Sequence, residues 1–397
     1  MRHFLVFGSH PLLSLAEARA VLGGEKPEVI EPVAVFERED WDGAMLQDRL
    51  AGTVKLGDDV LDVAVKNLTA ERICDLIEEK KRAERVLFGM TIIGEGKTRF
   101  DKLPLQVKKA LKERGRSSRW VTGDRGDLSP AAVSKLHLTD EGYDFVVVLT
   151  KNRAMVCLTT HVQDADAWSK RDFGRPFRDA TTGMLPPKLA RMMVNLGVAQ
   201  PITRNPQQMT ILDPFCGGGT ILMEAALMKT GPVIGADNDP RQVAGCKENM
   251  EWMAQEGMIN RETGLIEVMQ QDATSIDQRL KNRAIDAVVT EGYLGKPLQG
   301  NEPLAFLGKQ KLDIEELWRN TLRSLAKILK SGAPVVCVWP VFVAKGVSVA
   351  VDLKKDLSGL GFALVNPLEE WTDKPVTLTY ARPDQHVKRN IVTLKKI

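Results

Sequence analysis

A glycine-rich turn between two regular segments constrains the fold of this chain more than any other stretch. Residues 210–227 form an apolar run that breaks into three consecutive glycines and then continues with a helical pattern. This order predicts a strand, a tight loop and a helix. The glycines let the backbone approach a ligand that a Cβ would exclude, and the free N–H groups at the helix start face the same place. We therefore predict a small-molecule site here.

The second half of the chain alternates strands with helices. Its predicted strands are residues 210–212, 232–236, 266–269, 285–290, 333–339, 362–366 and 377–381, and its predicted helices are residues 220–228, 241–254 and 314–329. An earlier helix, starting at residues 184–188, has an apolar stripe typical of core packing: Leu189, Met192, Met193 and Leu196. The alternation predicts an α/β domain with a parallel, doubly wound sheet, in which ligands bind at the carboxyl ends of the strands.

The first half mixes strands and helices without a regular rhythm, which predicts an α+β fold. Its predicted strands are residues 2–8, 32–36, 53–56, 85–93, 118–122, 144–149 and 154–159. Ser14 with Glu17 has the spacing of a capping box, while Thr69 and Ser129 are typical helix N-caps. We place an N-terminal region at residues 1–165, a polar, irregular linker at 166–183 and a second domain at 184–397.

Composition excludes several classes of protein. No run of about 18 uncharged apolar residues appears and the N-terminus lacks a signal-peptide pattern, so we expect a cytoplasmic protein without a membrane partner. The five cysteines are scattered and never form a C-x-x-C pair. This spacing argues against a disulfide framework and against a zinc site, and predicts ordinary buried thiols.

Positive charge is concentrated in one part of the first half. Residues 79–125 contain 14 Lys or Arg against 6 Asp or Glu, whereas residues 1–78 contain 8 against 15. Such a segregated field is typical either of a solvated helix face or of a surface that meets a polyanion.

Three acids follow three successive predicted strands of the second half: Asp213, Asp237 and Asp272. A dinucleotide site would need a third glycine at position 222, which is leucine. For S-adenosylmethionine, Asp213 suits the ammonium group, Asp237 the ribose hydroxyls and Asp272 the adenine amine. We therefore favour S-adenosylmethionine as the cofactor.

Four segments carry a resemblance to a known family: residues 169–179, 183–190, 212–220 and 380–387. Together they resemble the THUMP-containing tRNA guanine-N2 methyltransferases that act on guanosine 10. The resemblance implies a Rossmann-like class I methyltransferase domain preceded by an α+β THUMP-like RNA-binding region. The glycine backbone at Gly217 and Gly219 is expected to accommodate the carboxylate and ribose of the cofactor, and Ala273 completes the adenine-edge pattern with Asp272. Four further cofactor contacts are expected: Met184, Pro186, Phe215 and Asn238.

The family places Asp-Pro-Pro-Tyr after its fourth strand, whereas this chain has Thr290, Glu291, Gly292 and Tyr293. By the resemblance, Glu291 takes the place of the acid that accepts hydrogen bonds from the target amine, with Thr290 beside it, and Tyr293 takes the place of the stacking ring. An exocyclic amine needs such help because its lone pair is delocalised and attacks only when it is well oriented. We expect direct methyl transfer without a metal.

The resemblance also turns the basic segment into a predicted tRNA-binding surface. Its candidate contacts are Lys80, Lys81, Arg82, Lys108, Lys109, Lys112, Arg114, Arg116 and Arg119. Some relatives require a small zinc-binding activator subunit, which makes such a subunit a second expected partner. Three alternatives stay open: an inactive homologue that still binds RNA, a DNA adenine-N6 methyltransferase and a nicotinamide-dependent dehydrogenase.

Overall fold

Two units divide the chain in the computed structural model, which describes residues 1–123, 126–179, 183–198, 209–259, 266–372 and 376–397. The first unit comprises residues 1–14 and 25–167, and the second comprises residues 15–24 and 168–397. The linker predicted at residues 166–183 was expected to be irregular, which is wrong for its first half, because Ala165–Phe173 form a helix. Trp168 and Arg171 are buried in that helix, so packing overrides its polar composition.

The first unit is built on a mixed eight-stranded sheet with the order β2-β3-β1-β4-β8-β7-β5-β6. Its strands are β1 Arg2–Phe7, β2 Glu28–Ile30, β3 Val33–Glu37, β4 Thr53–Ala64, β5 Val86–Gly94, β6 Ser118–Val121, β7 Tyr143–Leu149 and β8 Arg153–Val162. Strand β5 is parallel to β6 and β7, and the other pairs are antiparallel. The mixture agrees with the predicted α+β class.

Five helices begin in the part of the chain before β8: α1 Pro11–Leu22, α2 Gly43–Arg49, α3 Ala70–Lys80, α4 Leu103–Glu113 and α5 Pro130–Lys135. Thr69 and Ser129 cap α3 and α5 as predicted. The predicted cap at Ser14 is wrong, because α1 already begins at Pro11. The Ser14 hydroxyl instead donates to the His10 carbonyl, and the Glu17 carboxylate accepts from the Asn195 amide.

The described residues of the second unit form nine strands, of which seven lie in the order β11-β10-β9-β12-β13-β17-β15. They are β9 Ile211–Asp213, β10 Val233–Asp237, β11 Ile266–Gln270, β12 Ala287–Thr290, β13 Pro334–Ala344, β14 Val347–Ala350, β15 Phe362–Val365, β16 Leu378–Tyr380 and β17 Val387–Lys396. Strands β9 to β13 are parallel, but β17 runs antiparallel to β13, β15 and β16. The prediction of a wholly parallel sheet is therefore wrong at this edge, where the sequence analysis had missed β17.

Six further helices follow in the described part of the chain: α6 Ala165–Phe173, α7 Pro187–Gly197, α8 Thr220–Leu227, α9 Pro240–Gln255, α10 Ile276–Leu280 and α11 Leu304–Leu325. The apolar stripe of α7 is buried as predicted. Helix α11 begins ten residues before the predicted start at 314 and ends at Leu325. Its Trp318 is fully buried in the main core, together with residues of β12 and β13 such as Val288 and Val335.

The cysteines and the helix lengths bear on two further expectations. All five cysteines are buried with free thiols, as predicted. Every helix described is too short or too polar to traverse a lipid bilayer.

The position of β9 determines where a ligand can bind. It pairs with β10 on one side and with β12 on the other. The chain runs from β9 through β10 to β11 on one side and then returns to β12 on the other side, so the strand order reverses at β9. A crevice forms at such a switch point, outside the carboxyl ends of the strands. The glycine-rich stretch follows β9 directly and therefore lies at this crevice.

Two helix glycines provide a test of the packing that supports this crevice. A Cβ at Gly245 in α9 would lie 2.2 Å from ring carbons of Phe177, whereas a Cβ at Gly308 in α11 would meet nothing within 4 Å. We expect Gly308→Ala to raise the free energy of unfolding by about 0.5–1 kcal/mol, because alanine favours helices. Gly245→Ala should lower it by about 1–3 kcal/mol through overpacking. Urea unfolding of both variants measures the difference, and equal effects would contradict this account.

Candidate active site

A cavity of about 580 Å³ opens at the carboxyl ends of β9, β10, β11 and β12. Most of the residues predicted to bind cofactor or to act in catalysis line it. They are Met184, Asp213, Phe215, Gly217, Asp237, Asn238, Asp272, Ala273, Glu291 and Tyr293. Five separate stretches of sequence thus meet in one place.

Three predicted residues do not line this cavity. Gly219 immediately precedes α8 and adopts a left-handed conformation with φ of 85°. Its Cβ would lie 2.5 Å from the Cys246 sulfur, so this position requires glycine for packing. Pro186 precedes the first residue of α7, and Thr290 is fully buried at the end of β12.

The loop after β9 is tied to the end of β10. Gly217 has φ of 47°, and its N–H donates to the Asp237 carboxylate at 2.9 Å. The other oxygen of Asp237 accepts from the Asp239 N–H at 3.0 Å. Burial raises the pKa of Asp237, and these amide donors oppose the shift. Asp237 therefore holds the glycine loop in place while its carboxylate stays in the cavity wall.

Asp213 is almost completely buried, with 2% of its surface exposed. Its carboxylate accepts from the Phe215 N–H at 3.1 Å. Burial raises the pKa of Asp213 to about 7, although that amide and the nearby Thr290 hydroxyl work in the opposite direction. A cation beside this carboxyl would favour its ionised form, because the attraction would replace the hydration that burial removes.

Asp272 differs from the two other acids because it is exposed. Its Oδ1 accepts from the N–H of Thr274 at 2.7 Å and from the Thr274 hydroxyl at 2.6 Å. The side chain thereby caps a short helical turn that begins at Ala273. Asp272 and Ala273 both stay in the cavity wall.

Glu291 forms an ion pair that the sequence analysis missed. Its Oε1 accepts from Nε of Arg389 on β17 at 2.5 Å, and both side chains are largely buried. Burial raises the pKa of Glu291, and Arg389 opposes that shift. The two residues are almost a hundred positions apart in the sequence, and no local pattern joins them.

The backbone after Glu291 requires a glycine. Gly292 has φ of 75°, and a Cβ there would lie 2.6 Å from the Trp318 ring. This conformation turns the chain so that Tyr293 is 51% exposed at the cavity. An exposed tyrosine ring beside a buried carboxylate is able to stack on a planar base.

The cavity wall includes other residues that were not predicted individually, among them Arg175, Phe177, Asp179 and Gln242. Asp179 accepts from Gln242 at 2.7 Å, and the Phe177 N–H donates to Asn249 at 2.9 Å. These bonds join the segment after α6 to α9. The sequence analysis assigned this segment to the linker. Its alternation of charged and aromatic residues could have indicated that it contributes to the site.

The predicted RNA contacts divide into two groups within the first unit. Seven residues are exposed: Lys80, Lys81, Lys108, Lys109, Lys112, Arg114 and Arg119. Arg114 and the two half-buried arginines, Arg82 and Arg116, make contacts within the unit. Arg82 donates to the carbonyls of Leu138 and Gly142, Arg114 pairs with Asp75 and Glu78, and Arg116 donates to the Ala83 carbonyl.

Parts of this chain are similar to known methyltransferases. Residues 175–340 match the family of RMKL-like methyltransferase domains. A tRNA (guanine(10)-N2)-dimethyltransferase of Methanothermobacter thermautotrophicus is 32% identical over 301 residues, which cover 73% of this chain and 77% of that protein. A protein of the same name from Pyrococcus abyssi is 30% identical over 41% of this chain and 39% of its own length.

Two solved structures share the fold across the chain. TrmN from Thermus thermophilus has a TM-score of 0.52 with 18% identity, and the match covers 100% of both chains. A possible methylase from Clostridium difficile 630 has a TM-score of 0.50 with 13% identity, covering 100% of this chain and 98% of that one.

The raised pKa of Asp213 predicts a pH-dependent stability. The folded protein holds a proton on Asp213 up to about pH 7, whereas the unfolded chain loses it near pH 4, so this group lowers the free energy of unfolding as pH rises between these values. We expect Asp213→Asn to stabilise the ligand-free protein by roughly 2–4 kcal/mol at pH 8 and much less at pH 4. Thermal unfolding at both pH values measures this.

Asp272→Asn is the matched control, because it makes the same chemical change at an exposed carboxyl in the same cavity. It should show no such pH-dependent gain. A gain for Asp213→Asn that is equal at both pH values would contradict the assignment of this titration to Asp213.

Proposed function

We propose that this chain, which belongs to the tRNA (guanine(10)-N2)-dimethyltransferase family, transfers methyl groups from S-adenosylmethionine to the exocyclic N2 amine of a guanine in tRNA. One observation carries the proposal: the glycine loop, the buried Asp213 and the Glu291–Tyr293 turn line a single cavity. The names of the relatives support guanosine 10 as the target and support addition of two methyl groups.

The cavity fits the cofactor on several independent points. Asp213 offers a buried carboxylate for the ammonium group, and Asp237 offers carboxylate oxygens for the ribose hydroxyls. Side chains at positions 217 and 219 would strain the left-handed backbone of the loop. Asp272 and Ala273 line the cavity after β11, where an adenine edge would be read. When bound, S-adenosylmethionine supplies an electrophilic methyl group on a sulfonium sulfur.

The residues after β12 would act on the target guanine. The Glu291 Oε1 is held by Arg389, and its Oε2 makes no hydrogen bond with any described residue, so it is available to accept from the N2 amine. Tyr293 would stack on the extruded base. Thr290 would contribute through Asp213, because its buried hydroxyl lies beside that carboxyl. Methyl transfer would leave a proton on the amine, and Glu291 is the carboxylate placed to hold that N–H until solvent takes the proton.

The first unit would bind the tRNA. Lys80, Lys81, Lys108, Lys109, Lys112 and Arg119 are exposed and would offer charge to phosphates, whereas Arg82, Arg114 and Arg116 make contacts within the unit. The zinc-binding activator subunit and the cytoplasmic location stay predictions from the sequence.

Nucleoside analysis tests the reaction directly. We expect tRNA incubated with the protein and isotope-labelled S-adenosylmethionine to yield labelled N2-methylguanosine and N2,N2-dimethylguanosine, detected by mass spectrometry after digestion. Glu291→Gln should lower the initial rate by about 100-fold or more, because the neutral amide is a weaker acceptor for the amine. Its affinity for S-adenosylmethionine should stay within about threefold of the unaltered protein.

Glu316→Gln on the exposed side of α11 is the control and should leave the rate unchanged. Full activity of Glu291→Gln would contradict the catalytic assignment. Binding of tRNA without methyl transfer by the unaltered protein would indicate an inactive homologue, and labelled N6-methyladenosine from duplex DNA would indicate the DNA alternative.

The exposed lysines of α4 predict a salt-dependent contact with tRNA. Lys108 and Lys112 are four residues apart on this helix, and neither pairs with an acid among the described residues. We expect the double variant Lys108→Gln, Lys112→Gln to weaken tRNA binding and to reduce the slope of log affinity against log salt by about 1–2. Fluorescence titrations at several salt concentrations measure both quantities.

The matched control is Lys66→Gln, Lys151→Gln, which removes two exposed lysines of the same unit outside residues 79–125. It should leave the slope unchanged. An equal loss in both double variants would mean that only total charge matters and would contradict a localised surface on α4.

A further inference from the structure

An arginine lies buried in the cavity wall without an acidic partner. Arg175 is only 3% exposed. Its Nη1 donates to the Thr220 hydroxyl at 2.5 Å, and its Nη2 lies 3.4 Å from the Met184 sulfur. Its Nε is buried and has no hydrogen-bond partner among the described residues. The same side chain lines the cavity.

The acids near Arg175 do not neutralise it. Glu224 is fully buried and holds Arg171 at 2.8 Å and Arg191 at 2.7 Å. Asp172 attracts Arg175 electrostatically, but no ion pair forms between them. Desolvation lowers the pKa of Arg175, yet a guanidinium stays charged at any ordinary pH.

A buried charge without a partner is costly, so a site of this kind is completed by an anion. The surroundings add to the attraction. Thr220, which accepts the hydrogen bond from Arg175, is the first residue of the eight-residue helix α8. The free N–H groups and the positive end of the helix dipole therefore lie beside the guanidinium.

The other charged residues of the cavity limit which kind of anion can bind beside Arg175. Asp213 and Asp237 also line it, and both would repel a polyanion such as a polyphosphate. A single carboxylate that carries an ammonium group on the neighbouring carbon suits both charges, with the carboxylate toward Arg175 and the ammonium toward Asp213. This is the chemistry of an α-amino acid.

We propose that Arg175 binds the α-carboxylate of the methionine moiety of S-adenosylmethionine. The proposal rests on the proposed function, because it names the counter-ion for one group of that cofactor. Arg175 is thus a cofactor-binding residue that the glycine-loop pattern does not include. The planar guanidinium offers paired donors that a carboxylate accepts in a bidentate manner.

A pair of ligands that differ only in this carboxylate tests the assignment. Isothermal titration measures the Kd of S-adenosylmethionine and of decarboxylated S-adenosylmethionine for each protein. The unaltered protein should prefer S-adenosylmethionine by at least about 10-fold. Arg175→Gln should reduce that preference to nearly equal binding by weakening S-adenosylmethionine, while its Kd for the decarboxylated ligand stays within about twofold.

Arg178→Gln is the matched control, because Arg178 is an exposed arginine three residues further on; it should keep the full preference. Arg175→Lys retains the charge but not the planar fork, and should keep a reduced preference. If Arg175→Gln does not fold, this second variant carries the test through the same ratio.

The outcomes separate the two proposals. Absence of binding of either ligand to the unaltered protein would overturn the proposed function together with the assignment. Binding of S-adenosylmethionine with an undiminished preference in the folded Arg175 variants would overturn the assignment alone. Equal binding of both ligands to the unaltered protein would do the same.

Discussion

The register of β9 between its two neighbours determines the site. Asp213, the last residue of β9, pairs with Gly235, so β10 continues for two more residues to Asp237. The loop after β9 bends toward this overhang, and the Gly217 N–H reaches the Asp237 carboxylate. On the other side, Val288 of β12 pairs with Leu212, and β12 continues to Thr290, next to Glu291. Parallel pairing alone therefore brings three strand ends together.

The charged side chains of the cavity are placed where a ligand can bind them, and this placement lowers the stability of the ligand-free protein. Asp213 is buried with a raised pKa, Arg175 is buried without an acidic partner among the described residues, and Glu291 depends on one arginine. Each arrangement is less favourable than an apolar wall of the same shape would be. A zwitterionic ligand offsets the first two costs together, because it brings a cation to the carboxylate and an anion to the guanidinium. Ligand binding and stability are thereby coupled at this cavity.

Local patterns were sufficient for the parts of the site that are close in sequence. The glycine loop, the acids after β9, β10 and β11 and the caps at Thr69 and Ser129 each depend on a few neighbouring residues. The missed features depend on distant partners. Strand β17 has charged residues near both ends, which indicates exposure, yet it pairs with three strands. Arg389 on this strand is buried and bonded to Glu291. The Arg114 side chain likewise belongs to the basic segment by sequence but pairs with acids of α3 in the fold.

The departure from the family motif has a structural explanation in the same contacts. A glutamate is one methylene longer than an aspartate and has more rotamers to lose, so it needs an anchor to serve as a defined acceptor. Arg389 provides that anchor from β17. Two prolines would stiffen the turn in the family, whereas here the left-handed Gly292 packs against Trp318, which excludes any side chain at that position. The rigidity of the turn thus comes from tertiary packing of α11 and β17 instead of from the local backbone, and the position of Glu291 is defined by residues outside the motif.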